Sequence, residues 1–219
     1  DKLIEQGKVL VNGQVAGMGQ QVEETDTVQV GKKILQGKQT QKVLAFYKPV
    51  GVTCTERDPH AEKKIMDMIR YPERLTYAGR LDKDSEGLIL LTNDGDLINA
   101  MMRGANRHEK EYIVKTDKEI TPDFLEKMAK GIYLKDLDIT TRECEIEQIG
   151  KFTFRIVLTQ GVNRQIRRMC EACGYRVKAL KRIRIMNILL GDLKPGKWRE
   201  VIGEELEQLQ RDTGMLNRN

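Results

Sequence analysis

The run Leu88-Ile89-Leu90-Leu91-Thr92, bounded by Gly87 and by Asn93-Asp94-Gly95, most constrains what this chain can fold into. A short, unbroken apolar run between turn residues reads as a buried strand. A dense polar loop, Gly79-Arg80-Leu81-Asp82-Lys83-Asp84-Ser85-Glu86, leads directly into it. Such a loop is braced by the strand, so a reactive side chain on it would be held in place. On pattern alone, however, a polar, glycine-bounded turn serves only to reverse the chain. Asp84, Asp94 and Asp96 fit that role as turn and helix-start acids.

At 219 residues the chain accommodates one full domain and a small module. Its 39% hydrophobic content supports a core, and its 32% charged content fits a soluble, cytoplasmic protein without membrane segments. It begins with Asp1 and not Met, as a fragment or trimmed chain would. Cys54, Cys144, Cys170 and Cys173 form no disulfide framework. The single Cys170-Glu171-Ala172-Cys173 pair, with only His60 and His108 elsewhere, falls short of a zinc site. No metal is expected. The net charge of +5 is modest but unevenly spread: residues 164–184 hold eight Lys or Arg and one acid, Glu171. This block suits a phosphate backbone, or equally a solvated face.

Residues 8–11 alternate as a strand into Asn12-Gly13, a hairpin pair, and Thr27-Val28-Gln29-Val30 supplies another strand. The following lysine- and glycine-containing run lacks apolar periodicity and reads as linker. Boundaries fall at 1–35, 36–42 and 43–212. Strands are expected at 43–47, 111–115, 142–149 and 152–159. Helices are expected at 61–69 and 96–102, with Met101 and Met102 in the core, and from the Thr121-Pro122 start to Gly131. A further helix, capped by Asn163 and ended by Gly174, places Arg164, Arg167 and Arg168 on one face and Ile166, Met169, Cys170 and Cys173 opposite. Trp198 is expected in the core.

Three stretches resemble the motifs of RNA pseudouridine synthases, in the branch named after the small-subunit ribosomal synthase A. They are Gly79-Arg80-Leu81-Asp82 with its continuation through Gly95, then Lys110-Glu111-Tyr112, then Asn163-Arg164-Gln165-Ile166-Arg167-Arg168-Met169. Tyr47-Lys48-Pro49 resembles the family's opening segment, and residues 178–199 its closing one. The resemblance implies an α+β fold with a mixed, largely antiparallel sheet. It makes Asp82 the catalytic aspartate, Tyr112 the ring against the target base and Arg167 the basic partner of Asp82. Arg80, Lys110, Arg164, Arg168, Lys181 and Arg182 are the implied RNA-binding residues. Residues 1–35 resemble a partial S4 RNA-binding module.

The implied reaction is isomerisation of a uridine in a 23S ribosomal RNA stem-loop, without cofactor, by a monomer, with tRNA as a further substrate. Among members acting on 23S ribosomal RNA, those of the F type are the most similar and those of the B type come next. The aspartate's mode of action stays open between attack on C1′, attack on the base and abstraction of a sugar proton. A noncatalytic S4-type RNA-binding or ribosome-assembly factor is the alternative; intact Asp82, Tyr112 and Arg167 weigh against it.

Overall fold

The computed structural model describes residues 1–23, 25–36, 40–55 and 64–216. The chain divides into two compact units, 1–41 and 42–219. The first holds α1 (Lys2–Glu5), β1 (Val9–Val11), β2 (Gln14–Val15), β3 (Val28–Val30) and β4 (Lys33–Gln36), in the sheet order β2-β1-β3-β4. Asn12 and Gly13 both take positive φ, 49° and 81°, as a tight hairpin turn with the right-handed strand twist requires. The Asn12 side chain accepts from the Thr27 backbone and donates to Asp26, which pins the turn to the strand that closes the unit. Its core is small: Val9, Val11 and Ala16, flanked by Ile4, Val28 and Val30. β4 is the unit's last strand and runs one residue past the expected module boundary at 35. Ile34 and Leu35 are both exposed, so the strand rests on backbone pairing with β3 and leaves no alternation to read.

The second unit runs β5 (Val43–Lys48), α2 (Ile65–Met68), β6 (Thr76–Ala78), β7 (Glu86–Thr92), α3 (Gly95–Met102), β8 (Lys110–Thr116) and α4 (Pro122–Lys130). It continues with β9 (Tyr133–Leu134), β10 (Ile139–Thr140), β11 (Glu145–Gly150), β12 (Thr153–Leu158), α5 (Gln165–Ala172), β13 (Val177–Ile185), β14 (Ile188–Leu189), β15 (Trp198–Glu200) and α6 (Gly203–Asp212). Among the described residues, nine strands form one sheet ordered β11-β12-β8-β13-β7-β5-β15, with β14 on β13 and β6 on β7. Every pair is antiparallel except β13 with β7. This is the mixed, largely antiparallel α+β arrangement expected.

Both faces of β5 and β7 are covered. Val43, Ala45, Tyr47, Leu88 and Leu90 enter one hydrophobic cluster, and Leu44, Phe46, Ile89 and Leu91 enter another. A strand packed on both sides needs apolar residues at every position, which is why 88–91 is unbroken and not alternating. A third cluster joins β8 and β12 to α4 and α5 through Val114, Phe124, Phe154, Ile156, Ile166 and Met169. Here charged residues occupy alternate strand positions. Arg155 meets Glu111, Glu145 and Glu147, and Arg184 meets Glu109 and Glu111.

β7 shares one edge between two partners: β13 pairs at Glu86 and Gly87, and β6 pairs from Leu90 to Thr92. The loop 79–85 emerges between them. Gly87 makes the close approach possible. Its φ is +115°, and a Cβ there would sit 2.2 Å from the Arg182 carbonyl oxygen.

Several local expectations change. Trp198 is on an edge strand, 37% exposed, with its ring edge-on to Tyr71. Met101 is buried, but Met102 is 52% exposed and lines the cleft described below. The helix expected at 61–69 is described only as α2, residues 61–63 lying outside the described residues. Asn163 does not cap α5; Arg164 does so positionally, with a left-handed backbone at φ 49°. Thr121 caps α4 as expected, its hydroxyl accepting from the Phe124 backbone.

Candidate active site

A cleft of about 630 Å³ opens between the 79–85 loop, the loop entering α5, residues 53–55 and one face of β8 and β13. That volume is typical of small-ligand pockets. Its geometry starts with the 79–85 loop, which is anchored from below. The Asp82 carbonyl accepts from the Ser85 backbone at 3.1 Å and the Lys83 carbonyl from the Gly51 backbone at 2.7 Å. Lys48, fully buried, donates from Nζ to the carbonyls of Pro49 and Val52 at 2.7 Å and Lys83 at 3.4 Å. Burial pulls this lysine down to about 8, while Cys54, Asp82, Asp84 and Glu86 oppose the shift. The cation therefore ties two loops together under Asp82.

The start of α5 faces this loop. Arg164 Nη1 lies 3.3 Å from Asp82 Oδ2, and its Nη1 and Nη2 donate to Asp84 Oδ1 and Oδ2 at 3.2 and 3.0 Å. Arg167 does not reach Asp82 by any ion pair among the described residues. Its Nη2 donates to the Asp84 carbonyl and to Ser85 Oγ, and its Nη1 lies 3.4 Å from Asp84 Oδ2. The expected Arg167–Asp82 pair is thus replaced by Arg164–Asp82, with Asp84 at the centre of the cluster. Arg164, hydrogen-bonded to Asp84, holds that carboxyl below the usual carboxylate range, and Arg167 adds to the effect. Arg168 turns away. It donates to the backbone and side-chain oxygens of Asn163 and approaches Asp136 at 3.8 Å.

The sheet supplies the other wall. Tyr112 on β8 is half-buried and directly opposite Arg182 on β13, so the two share a face. Lys110, two residues along, shares that face too. Burial, reinforced by the nearby Arg182 charge, lowers Lys110 to about 8. Arg182 is only 3% exposed. Its Nε donates to the Leu88 carbonyl at 2.7 Å and its Nη1 to the Arg80 carbonyl at 3.2 Å, filling the fork between β13 and β6. The residue that the resemblance implies for RNA binding is thus a buried brace of the 79–85 loop that also lines the cleft. Lys181, its neighbour, faces the other side of the sheet.

Asp82, Tyr112, Arg167, Arg80, Lys110, Arg164 and Arg182 therefore meet in one cleft, whereas Arg168 and Lys181 do not line it. Sequence reasoning missed Lys48, Asp84, Ser85 and Gln165 as site builders. Gln165 is 5% exposed and donates to Gln160 Oε1, while its own Oε1 accepts from the Val162 backbone at 3.4 Å, which shapes the loop entering α5. A polar residue amid Ile166, Met169 and Cys170 was the available signal. Among the described residues, no cluster of three or more His, Cys, Asp or Glu could hold a metal ion.

The site combines one half-exposed carboxylate beside a guanidinium, a ring on the opposite wall and further cations. That set suits an unstacked base with its phosphates. Residues 42–172 match the family model described as RNA pseudouridylate synthase. The chain is 44% identical over 211 residues to the dual-specificity RNA pseudouridine synthase RluF of Escherichia coli strain K12, covering 95% of this chain and 72% of that one. The chain belongs to the RNA pseudouridylate synthase family.

Ribosomal large subunit pseudouridine synthase B of Vibrio cholerae is 33% identical, with 96% of this chain and 68% of that protein covered. A crystal structure of a pseudouridylate synthase superposes with a TM-score of 0.74 at 27% identity, covering 95% of this chain and 91% of the other. The matched synthase segment, 42–172, contains Lys48, the 79–85 loop, Tyr112 and α5, and ends before the Arg182 brace on β13. No helix among the described residues of this synthase is long and apolar enough to cross a membrane.

Proposed function

We propose that this synthase converts uridine to pseudouridine in the RNA of the large ribosomal subunit, 23S rRNA, and accepts tRNA as a second substrate. The observation that carries the reading is Asp82, whose side chain is 38% exposed in a cleft it shares with Tyr112, with Arg164 at 3.3 Å. The similarity to a dual-specificity RNA pseudouridine synthase and to a ribosomal large subunit synthase supports the choice of RNA.

The reaction breaks the C1′–N1 bond, turns the uracil and joins C5 to C1′; C5 gives up its proton and N1 takes one up. Atoms and electrons balance within the nucleotide, so neither redox nor hydrolytic chemistry is required. Asp82 supplies the carboxylate, with the Arg164 guanidinium 3.3 Å away. The flipped base stacks on Tyr112, whose ring needs only a π-face to hold it. Arg80 and Arg164, both exposed, meet phosphates, while Arg167 holds the 84–85 turn against α5. The 1–41 unit, S4-like in its Val-Asn-Gly hairpin and closing strand, adds an auxiliary RNA contact. The enzyme acts as a cytoplasmic monomer.

Tritium release from [5-³H]uridine-labelled 23S rRNA, 16S rRNA and tRNA tests the substrate assignment. Release is expected from 23S rRNA and, more slowly, from tRNA. Release from 16S rRNA alone would overturn the large-subunit assignment.

A further inference from the structure

Asp84 has more arginine contacts than the aspartate two residues before it. It receives both terminal nitrogens of Arg164, at 3.2 and 3.0 Å, and lies 3.4 Å from Arg167. Its own carbonyl accepts a further bond from Arg167 at 3.1 Å. Asp82, by contrast, has among the described residues one arginine contact, 3.3 Å from Arg164 through a single oxygen, Oδ2. A guanidinium and a carboxylate left to themselves favour a two-pronged pair, because two parallel charged hydrogen bonds are stronger than one. Arg164 makes that pair with Asp84, and Asp82 is left with the edge of the same fork.

We infer that Asp84 is a positioning residue for the reaction, holding Arg164 in a two-pronged pair so that Asp82 keeps one carboxylate oxygen free for the substrate. The inference rests on the reading of Asp82 as the reacting carboxylate. Three features of the chain make the arrangement work. The 79–85 loop is anchored by the Lys48 and Gly51 bonds to the Lys83 carbonyl, so Asp84 cannot follow Arg164 outward. Ser85 is 1% exposed and its hydroxyl accepts from Arg167, which fixes the turn that separates the two acids. Arg164 sits just before α5 at φ 49°, a backbone state that non-glycine residues adopt infrequently, with its guanidinium 3.3 Å from Asp82 and 3.0 Å from Asp84. Without Asp84, the Arg164 fork is free to close on both oxygens of Asp82.

The test is single-turnover tritium release at saturating [5-³H]uridine-labelled RNA with Asp84→Asn, Asp84→Glu, Arg164→Gln, the Asp84→Asn/Arg164→Gln double variant and Asp82→Asn. Asp84→Asn is expected to slow the saturated rate by about ten-fold or more with RNA affinity within about three-fold, because the lost interaction acts at the chemical step. Asp84→Glu restores most of it. The double variant is expected to be faster than Asp84→Asn alone, since removing the collapsed arginine frees Asp82; a purely structural Asp84 gives additive or worse losses. Asp84 is half exposed, so folding survives the change. Should Asp84→Asn nevertheless melt below assay temperature, Asp84→Ser takes its place with the same outcomes. A wild-type rate for Asp84→Asn, or a double variant no faster than it, overturns this inference while an inactive Asp82→Asn leaves the proposed function standing. An active Asp82→Asn overturns both.

Discussion

Replacing Arg182 with Met separates a structural arginine from an RNA-binding one. The guanidinium is 3% exposed and donates to the carbonyls of Leu88 and Arg80. Hydrogen bonds to charged groups contribute roughly 1.5–3 kcal/mol each, and a buried acceptor stripped of its donor loses its share in full. Two such bonds total about 3–6 kcal/mol. The guanidinium Nη2 is itself buried without a partner among the described residues, a cost that Met removes. Met also fills most of the volume, so the cavity contribution is small. The lower half of the range, about 3–4 kcal/mol, is therefore expected. For a domain of this size each kcal/mol shifts Tm by about 2–4 °C, so Arg182→Met should melt roughly 10 °C below the wild type. Differential scanning calorimetry measures it, with Arg80→Ala as the comparison. Arg80 is exposed, and its loss should leave Tm within about 2 °C while weakening RNA binding. A Tm unchanged by Arg182→Met, together with an RNA salt slope reduced by about one, would make Arg182 a phosphate contact and refute the brace.

Substitutions at two further positions probe the opposite wall. Lys110 titrates at about 8 in the fold against an ordinary value of 10.5, so between those pH values the unfolded chain binds more protons and wild-type stability rises with pH. Lys110→Met should accordingly melt above the wild type at pH 7, with the gap closing between pH 8 and 10; a gap that is constant or reversed across that window would show that burial does not disfavour the charge. Tyr112→Phe should hold a trapped substrate better than Tyr112→Ala, because stacking uses the ring. Equal weakening of both in a filter-binding assay would transfer the role to the hydroxyl.

Features carried by local chemistry were legible before any coordinates. Asn12-Gly13 specifies its own turn, Thr121-Pro122 its own helix start, and the run 88–91 can be satisfied only by a strand apolar on both sides. The resemblance of three short motifs brought Asp82, Tyr112 and Arg167 to one cleft before the sheet order was known. What stayed hidden depends on which segments meet. Helical spacing puts Arg164, Arg167 and Arg168 on one face, yet Arg164 precedes α5 with a left-handed backbone, and Asp84, Ser85 and Asn163 divide the three into different tasks, with partners up to 83 residues away in the chain. Lys181 and Arg182 look equivalent in a basic segment; strand parity sends them to opposite faces, and the β13–β6 fork buries only the second. Lys48 reads as part of a bend until three carbonyls are found around its amine. Trp198 was misplaced because the largest apolar ring is usually inside, but β15 is an edge strand.

The catalytic role of Asp82 is tested most directly by Asp82→Asn in a single-turnover tritium-release assay with [5-³H]uridine-labelled 23S rRNA at saturation. The amide keeps the shape and removes the charge beside Arg164. Release should fall to the no-enzyme background while RNA affinity stays within about three-fold, because phosphate contacts and stacking supply the binding. Tritium release near the wild-type rate would contradict the assignment of the reaction to this carboxylate.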